Sequence, residues 1–404
     1  MKPSYRFVFG IISGIVCTMA SVAETKVIVV SQDVQEEFLT LSAALEASSE
    51  GDTIRVLEGE YEEALALKKN QLLVEEGNVV LSNPEGTTIT TSSVNEIRNI
   101  TIIDSGLYAI TGNDVESLVI ENVEIREFNT LKQIARNNDP YGYETTYEAI
   151  YLESSGSVDS TINLTNIEIL NGYGGGINIA SKGASTLICQ FHEIEIQKID
   201  ASTFISHPSS FPGSPGFPAL FLLSADQSII NASVENMDVQ EVGDSGDGIL
   251  AQANDSSTLH LDVYRFRYND PTDISGQITQ GIEFASGSSN TTVYAKIEES
   301  DILNSNRSAI GNFNWFGEIQ GVIDLGGGEL GSRGLNRFIG NAFHFDGASP
   351  LPISAENNYW GNSDGAVDIH IWQGTFDIDN IPYLENDPRP MTSGIDRSMW
   401  QIYE

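Results

Sequence analysis

Four stretches of this chain repeat one another at matched positions, and that recurrence constrains the fold more than any other feature. With Ile150, Ile177, Leu220 and Ile249 as zero points, Ile167, Ile194, Met237 and Phe266 each stand seventeen positions on. Two positions further come Ile169, Ile196, Val239 and Tyr268. Offsets ten, twelve and fourteen are apolar between them, as in Leu187, Cys189 and Phe191 or Leu259, Leu261 and Val263. Offset two adds Leu152, Ile179, Leu222 and Ala251, and a fifth copy runs from Ile282 to Ile302 with one extra residue. Alternation at period two marks strands with one buried face. Each repeat therefore predicts three short strands, at offsets 0–3, 10–14 and 17–19. One repeat cannot bury its apolar face alone. Stacking pairs each strand with its equivalent one turn along, about 4.8 Å away, and closes a continuous aliphatic column. Three strands per turn predict an all-β parallel β-helix rather than a propeller, whose blades need four strands and tight hairpins.

A stacked column has two raw ends that need covers. At the front, Glu36 to Ser48 carries Phe38, Leu39, Leu41 and Leu45 at helical spacing, which predicts an N-terminal capping helix stopped by Glu50-Gly51-Asp52. At the rear the periodicity fades after about Gly321 into Gly-rich sequence and a tail with Trp and Pro. In Asn357-Asn358-Tyr359-Trp360-Gly361 the aromatics are expected to close the column, while Asn and Gly make tight turns.

The first residues read as an export signal. Lys2 and Arg6 precede the apolar run Phe7 to Met19, and Ser21-Val22-Ala23 offers small residues for cleavage after Ala23. Val16 before Cys17 argues against a lipobox. The predicted division is a signal peptide at 1–23, one β-helix domain with its caps at 24–387, and a tail at 388–404. The mature chain would be secreted, periplasmic or on the cell surface, with no membrane span after signal removal. It would keep 18 Lys and Arg against 57 Asp and Glu, a net charge of −39. That charge excludes nucleic acid and anionic membranes as partners, and it opposes a bare polyuronate unless Ca²⁺ bridges the two. Only Cys189 would survive maturation, so no internal disulfide can form; its inward position reads as a small buried apolar residue. A monomer is expected.

At these residues the chain resembles the pectin-lyase-like family of right-handed parallel β-helix repeat proteins of exported bacterial type. Leu39–Tyr61 (LTLSAALEASSEGDTIRVLEGEY) is similar to that family's capping helix, Gly-Asp turn and first strand. Asp324–Asn341 (DLGGGELGSRGLNRFIGN) with Ala355–Gly361 (AENNYWG) resembles a closing segment of such proteins. The resemblance implies a single-stranded right-handed parallel β-helix. It spans lyases, glycoside hydrolases, esterases, epimerases and non-catalytic adhesins. The polygalacturonase signatures do not carry over: Gly246-Asp247-Gly248-Ile249 resembles only the first of them, and the paired aspartates and the Gly-His-Gly segment do not follow. No aspartate cluster with a nearby Arg base of the pectate lyase kind can be identified either.

Loop lengths locate a site. The link from third strand to next first strand spans 8 positions from Ile169 to Ile177, 24 from Ile196 to Leu220, 10 from Val239 to Ile249 and 14 from Tyr268 to Ile282. The other turns stay nearly constant, so all long insertions leave one edge and can wall a groove over the first-strand sheet. Offset one aims Tyr151, Asn178, Phe221, Leu250 and Glu283 outward; offset three aims Glu153, Ala180, Leu223, Gln252 and Ala285. The loops add Tyr141, Tyr143, Tyr147 and Tyr173, His207, Phe211 and Phe217, and Asp244 and Asp247. Aromatic faces suit sugar rings, and carboxylates and amides suit hydroxyls. The substrate-binding candidates are Tyr147, Tyr151, Asn178 and Glu283, and the catalytic candidates Glu153 and Asp247. The bland alternative is that the loop Ser206–Pro218 covers Phe221, Leu223 and Leu250. Glu153 and Glu283 lie four repeats apart, roughly 19 Å, too far to serve one glycosidic bond.

A second face stacks Thr165, His192, Glu235 and Tyr264 at offset fifteen, with Glu193 and Arg265 beside them at sixteen. A solvated ladder is the simpler reading than a metal site, because zinc wants three or four fixed ligands. Glu168, Glu195 and Asp238 stack at offset eighteen and end on Arg267, so like charges meet unless a cation such as Ca²⁺ intervenes. No metal site and no other cofactor is expected. The sequence thus points to an exported β-helix protein that binds, and as an enzyme would cleave, a polysaccharide or cell-surface glycan; as an enzyme it would be a polysaccharide lyase or glycoside hydrolase. The alternative is a non-catalytic structural or adhesive surface protein.

Overall fold

A computed structural model of the protein describes residues 25–33, 36–131, 148–199, 218–242, 246–270, 279–288, 290–314, 319–348, 351–363, 365, 367–371 and 378–388. The export signal, the cleavage point and almost all of the C-terminal tail lie outside the described residues. Among the described residues no helix is long and apolar enough to cross a membrane.

Every strand pair described is parallel, and the strands fall into one sheet of fifteen and one of eleven. The smaller sheet is the stack of first strands. Its registers join Ile150 to Ile177, Ile177 to Leu220, Leu220 to Ile249 and Ile249 to Ile282, the zero points of the repeat. In the larger sheet Ile167, Ile194, Met237 and Phe266 pair in succession, and so do Ile162, Cys189, Ala232 and Leu261. The matched positions are buried, most of them completely. This is a right-handed parallel β-helix with three strands per turn. Emptying any rung of the interior, as in Ile177→Ala, would cost roughly 2–5 kcal/mol, because close-packed neighbours relax only partly into the gap.

The second and third strands of a coil run on as one element, such as Ser117–Phe128 or Ile229–Gln240. The corner between them sits on one left-handed residue per coil: Asn99, Asn122, Asn166, Glu193, Asn236 and Arg265, all with φ between 53° and 57°. Asparagine tolerates that conformation best among residues with a Cβ. Three of the corner amides also bond in a ladder: Asn122 Nδ2 donates to Asn99 Oδ1 and Asn166 Nδ2 to Asn122 Oδ1, each at 2.8 Å. Glu193 and Arg265 are therefore corner residues.

The capping helix is shorter than the spacing predicts, Leu41–Ala47. Phe38 instead pairs its backbone with Val30, and Ser31 N donates to Phe38 O at 3.0 Å, so the chain before Thr40 is committed to an extended bridge. Thr40 Oγ1 and both Glu63 oxygens receive the first free amides of the helix, at 3.3, 2.9 and 2.8 Å. Asp52 accepts Lys26 N and Ser49 N at 2.8 and 2.7 Å, and these bonds hold its carboxyl below the usual range.

At the rear the coil continues past the point where the sequence period fades, through Arg337–Ile339, Phe343–Gly347, Ile353–Ala355 and Ile369–Ile371. Trp360 is buried and stacks on Phe338 with centroids 4.7 Å apart. Asn358 is buried beneath it, its Nδ2 donating to the carbonyls of Leu325 and Ala355. The Asn-Asn-Tyr-Trp-Gly segment thus belongs to the cover of the column.

Candidate functional site

The outward side chains of the first-strand sheet form two separate polar groups. The first lies on the strands Glu148–Ser154 and Gly175–Ser181. Tyr151 donates its hydroxyl to Glu153 Oε2 at 2.8 Å, and Lys182 Nζ donates to the same oxygen at 2.6 Å. Burial, then the bond to Glu153, pushes the Tyr151 hydroxyl up. Its ring stands 5.6 Å from that of Tyr108. Asn178 is buried and donates to Glu148 Oε1 at 3.0 Å, so its amide is turned into the wall instead of presented to solvent. Tyr147, Tyr141, Tyr143, His207, Phe211, Phe217 and Asp244 lie outside the described residues. Leu250 is buried, while Phe221 and Leu223 are half-buried.

The second group is built on Gln280–Ser286, Ser308–Asn314, Phe343–Gly347 and Ile369–Ile371. Asp247, just before the strand Ile249–Ala253, is buried, and its Oδ1 accepts Gln280 N at 3.0 Å. Its carboxyl feels the charge of Glu283, and Gln280 links the two through its backbone N–H and its side-chain amide. Gln280 Nε2 donates to Glu283 Oε2, and Ser308 Oγ to Gln280 Oε1 at 2.9 Å. Burial and the facing carboxylate raise Asp247 well above the normal range. Burial pushes Glu283 up to about 7, although the Arg307 charge pulls the other way. Burial and the charge of the neighbouring carboxyl both disfavour ionising the second member of the pair. Glu283 is the half-buried member, and therefore the one within reach of solvent.

Arg307 anchors the far side. Its Nε forms an ion pair with Asp346 Oδ2, and its guanidinium lies over the Phe313 ring at 4.8 Å. Asp346 is fully buried and meets His370 Nδ1 at 2.9 Å; His370 stacks on Phe343 at 4.9 Å. Glu283, Gly311, Asp346 and His370 follow one another in register across four strands. A Cβ on Gly311 would come within 1.8 Å of Gln280 Oε1, so a side chain there would push aside the amide that orients Glu283.

The structure thus separates the two catalytic candidates and regroups them. Glu153 is three strands from the coil of Asp247, at least about 14 Å along the axis. Asp247 instead joins Glu283. Gln280, Arg307, Gly311, Asp346 and His370 were not reached from the sequence. One signal would have found the first three. A small residue precedes every zero point (Ala149, Gly176, Ala219, Gly248 and Gly281), and Ala309-Ile310 continues that pattern. His344 stands at that position before Phe345 and breaks it, which hides the coil carrying Asp346.

The other columns are ordinary surface. His192 Nδ1 lies 3.5 Å from Glu235 and its Nε2 3.7 Å from Glu193, with all three side chains well exposed. Glu168, Glu195 and Asp238 are in register, and Arg267 Nη1 approaches Asp238 at 3.6 Å. Among the described residues no group of three or more His, Cys, Asp or Glu is arranged to hold a metal ion. Cys189 is buried in the column, and burial pushes its thiol up.

No protein-family model matches the chain, and neither does any curated protein. Among solved structures, the catalytic domain of a GH87 α-1,3-glucanase in complex with nigerose matches 88% of this chain and 68% of its own, at 11% identity and a TM-score of 0.40. The pectin methylesterase of Aspergillus niger matches 74% of this chain and 86% of its own, at 13% identity and 0.26. PfbA, a surface adhesin of Streptococcus pneumoniae, matches 76% and 87%, at 12% and 0.26. The parallel coils, buried aliphatic columns and covered ends of this chain make it a right-handed parallel β-helix.

Proposed function

We infer that the protein binds a polysaccharide along the outward face of the first-strand sheet and cleaves a glycosidic bond with a proton held by Asp247 and Glu283. The observation that carries this reading is the carboxyl pair bridged by Gln280, whose backbone N–H donates to Asp247 and whose side-chain amide donates to Glu283, with one carboxyl buried and the other half-buried. Natural proteins seldom bury two facing carboxyls without use for the perturbed proton. Glu283 acts as the general acid toward the leaving oxygen, and Asp247 keeps it supplied. Both carboxyls are tied to the one Gln280, so they share one role in place of serving as separate nucleophile and acid. Arg307 and the buried Asp346 are positioning residues that hold the far side of the pair. The acidity of the chain favours a neutral glycan over a bare polyuronate.

The test is turnover on a panel of neutral and acidic polysaccharides, with reducing-end and unsaturated-product readouts. Glu283→Gln should lower turnover by about 10²–10⁴, the usual worth of a general acid, whereas Glu153→Gln should change it little. Wild-type turnover that survives Glu283→Gln defeats the assignment. Glycan binding with no product from any polysaccharide would favour the adhesive alternative.

A further inference from the structure

The sheet formed by the second strands carries a slot unrelated to the carboxyl pair. We propose that this slot binds one pyranose ring of a neutral glycan, as a second site on a different face of the coil. It spans three successive strands, Thr186–Gln197, Ile229–Gln240 and Thr258–Asn269. The register aligns Ile188 with Asn231 and Asn231 with His260, and in parallel Gln190 with Ser233 and Ser233 with Asp262. The middle coil thus offers short side chains as a floor, and its neighbours supply two walls. The resulting depression measures about 340 Å³.

Each wall presents a surface that a sugar ring can use. His260 stacks on Tyr294 of the next coil with centroids 4.9 Å apart and planes 16° from parallel. That separation matches the strand spacing, so the rings stand upright with their faces along the coil axis. Tyr294 covers one face of His260, and the other looks across Asn231 into the slot. Opposite it, Ile188 is 44% exposed, an uncovered aliphatic side chain on a strongly acidic protein. The walls are two strand spacings apart, so a ring seated midway lies about 4.8 Å from each row. A puckered saturated ring fills that gap, whereas a planar ring packs at about 3.5–4.0 Å and would sit loosely. The C–H faces of a pyranose suit His260 and Ile188. Its hydroxyl edges meet the amides of Gln190 and Asn231, the Ser233 hydroxyl and the Asp262 carboxylate, which together supply donors and acceptors. Asp262 repels a second carboxylate beside it, so a uronic acid should bind less well than a neutral sugar even with Lys296 in register on the next coil.

The experiment is a titration of histidine-labelled protein by NMR, with the His260 signal assigned by its loss in His260→Asn. The probes are cellobiose, laminaribiose and maltose, with digalacturonate as the charged control. At least one neutral disaccharide should shift the His260 signal saturably. Ser233→Trp, which fills the slot at an exposed position, should weaken that binding at least about tenfold, and Ile188→Ala should weaken it less. Glu283→Gln should leave it unchanged, which separates this site from the groove. The proposal fails if no neutral disaccharide moves the signal, if digalacturonate binds as well, if Ser233→Trp binds normally, or if Glu283→Gln abolishes the shift.

Discussion

Two regions of the first-strand sheet solve the same problem in opposite ways. On its fourth strand Glu153 meets Lys182 and Tyr151, and a charge is met by an opposite charge. Three to four strands on, Asp247 and Glu283 are both held by Gln280, and a carboxyl is met by another carboxyl. The backbone is the same repeating coil in both places, with the same spacing and the same buried columns. What differs is the partner one strand away, and the partner sets the proton. A second carboxyl in a buried setting keeps a proton that a substrate could take.

The contrast can be broken most forcefully through Arg307. Its Nε pairs with Asp346, which has no exposure at all. Arg307→Met should therefore destabilise the protein by about 3–5 kcal/mol in urea unfolding, because a buried charge loses its ion-pair partner. Adding Asp346→Asn should recover much of that loss. If Arg307→Met is no worse than a surface change, the far end of the sheet is not the buried network described above.

The pH dependence sharpens the comparison next. Folding raises Glu283, so the folded chain keeps a proton that the unfolded chain has released. Stability is then present at low pH and falls as pH rises from the ordinary carboxylate range toward about 7. Glu75 is also pushed up to about 7 by burial and acts in the same direction. Glu283→Gln should flatten the slope of unfolding free energy against pH in that window, and Glu75→Gln should flatten it further. Turnover should decline over the same rise, as Glu283 loses the proton it must donate. A turnover that instead grows above pH 7 would make Glu283 a base and reverse its role.

The smallest effect is expected around Glu153. Lys182 and Glu153 keep 41% and 20% of their side-chain surface, so solvent screens the pair. Lys182→Met should change stability by less than about 1 kcal/mol and leave turnover intact. A loss comparable to that of Arg307→Met would erase the distinction between the two regions.

Much of the coil was legible in advance because its signal is local. Ile167, Ile194, Met237 and Phe266 had to share a column, since period-two alternation admits only one buried face. The cover at Trp360 could be read for a similar reason, as a large aromatic beyond the last clear repeat. The extent of the capping helix could not, because Phe38 is claimed by a bridge to Val30 that no helical spacing reveals. The candidate site was legible only in parts. Glu283 and Asp247 were both singled out, but one as a contact residue and the other as a partner for Glu153.

What the sequence determined by itself was the repeat, hence the parallel stack and which side chains point inward. Those follow from alternation and from the cost of leaving an aliphatic face wet. Which polar residues meet was decided only by tertiary structure. Links of 8, 24, 10 and 14 positions separate the coils, so residues adjacent in space stand at irregular distances along the chain. Asp247 and Glu283, or Arg307 and Asp346, become neighbours only when hydrogen bonds between strands set the register.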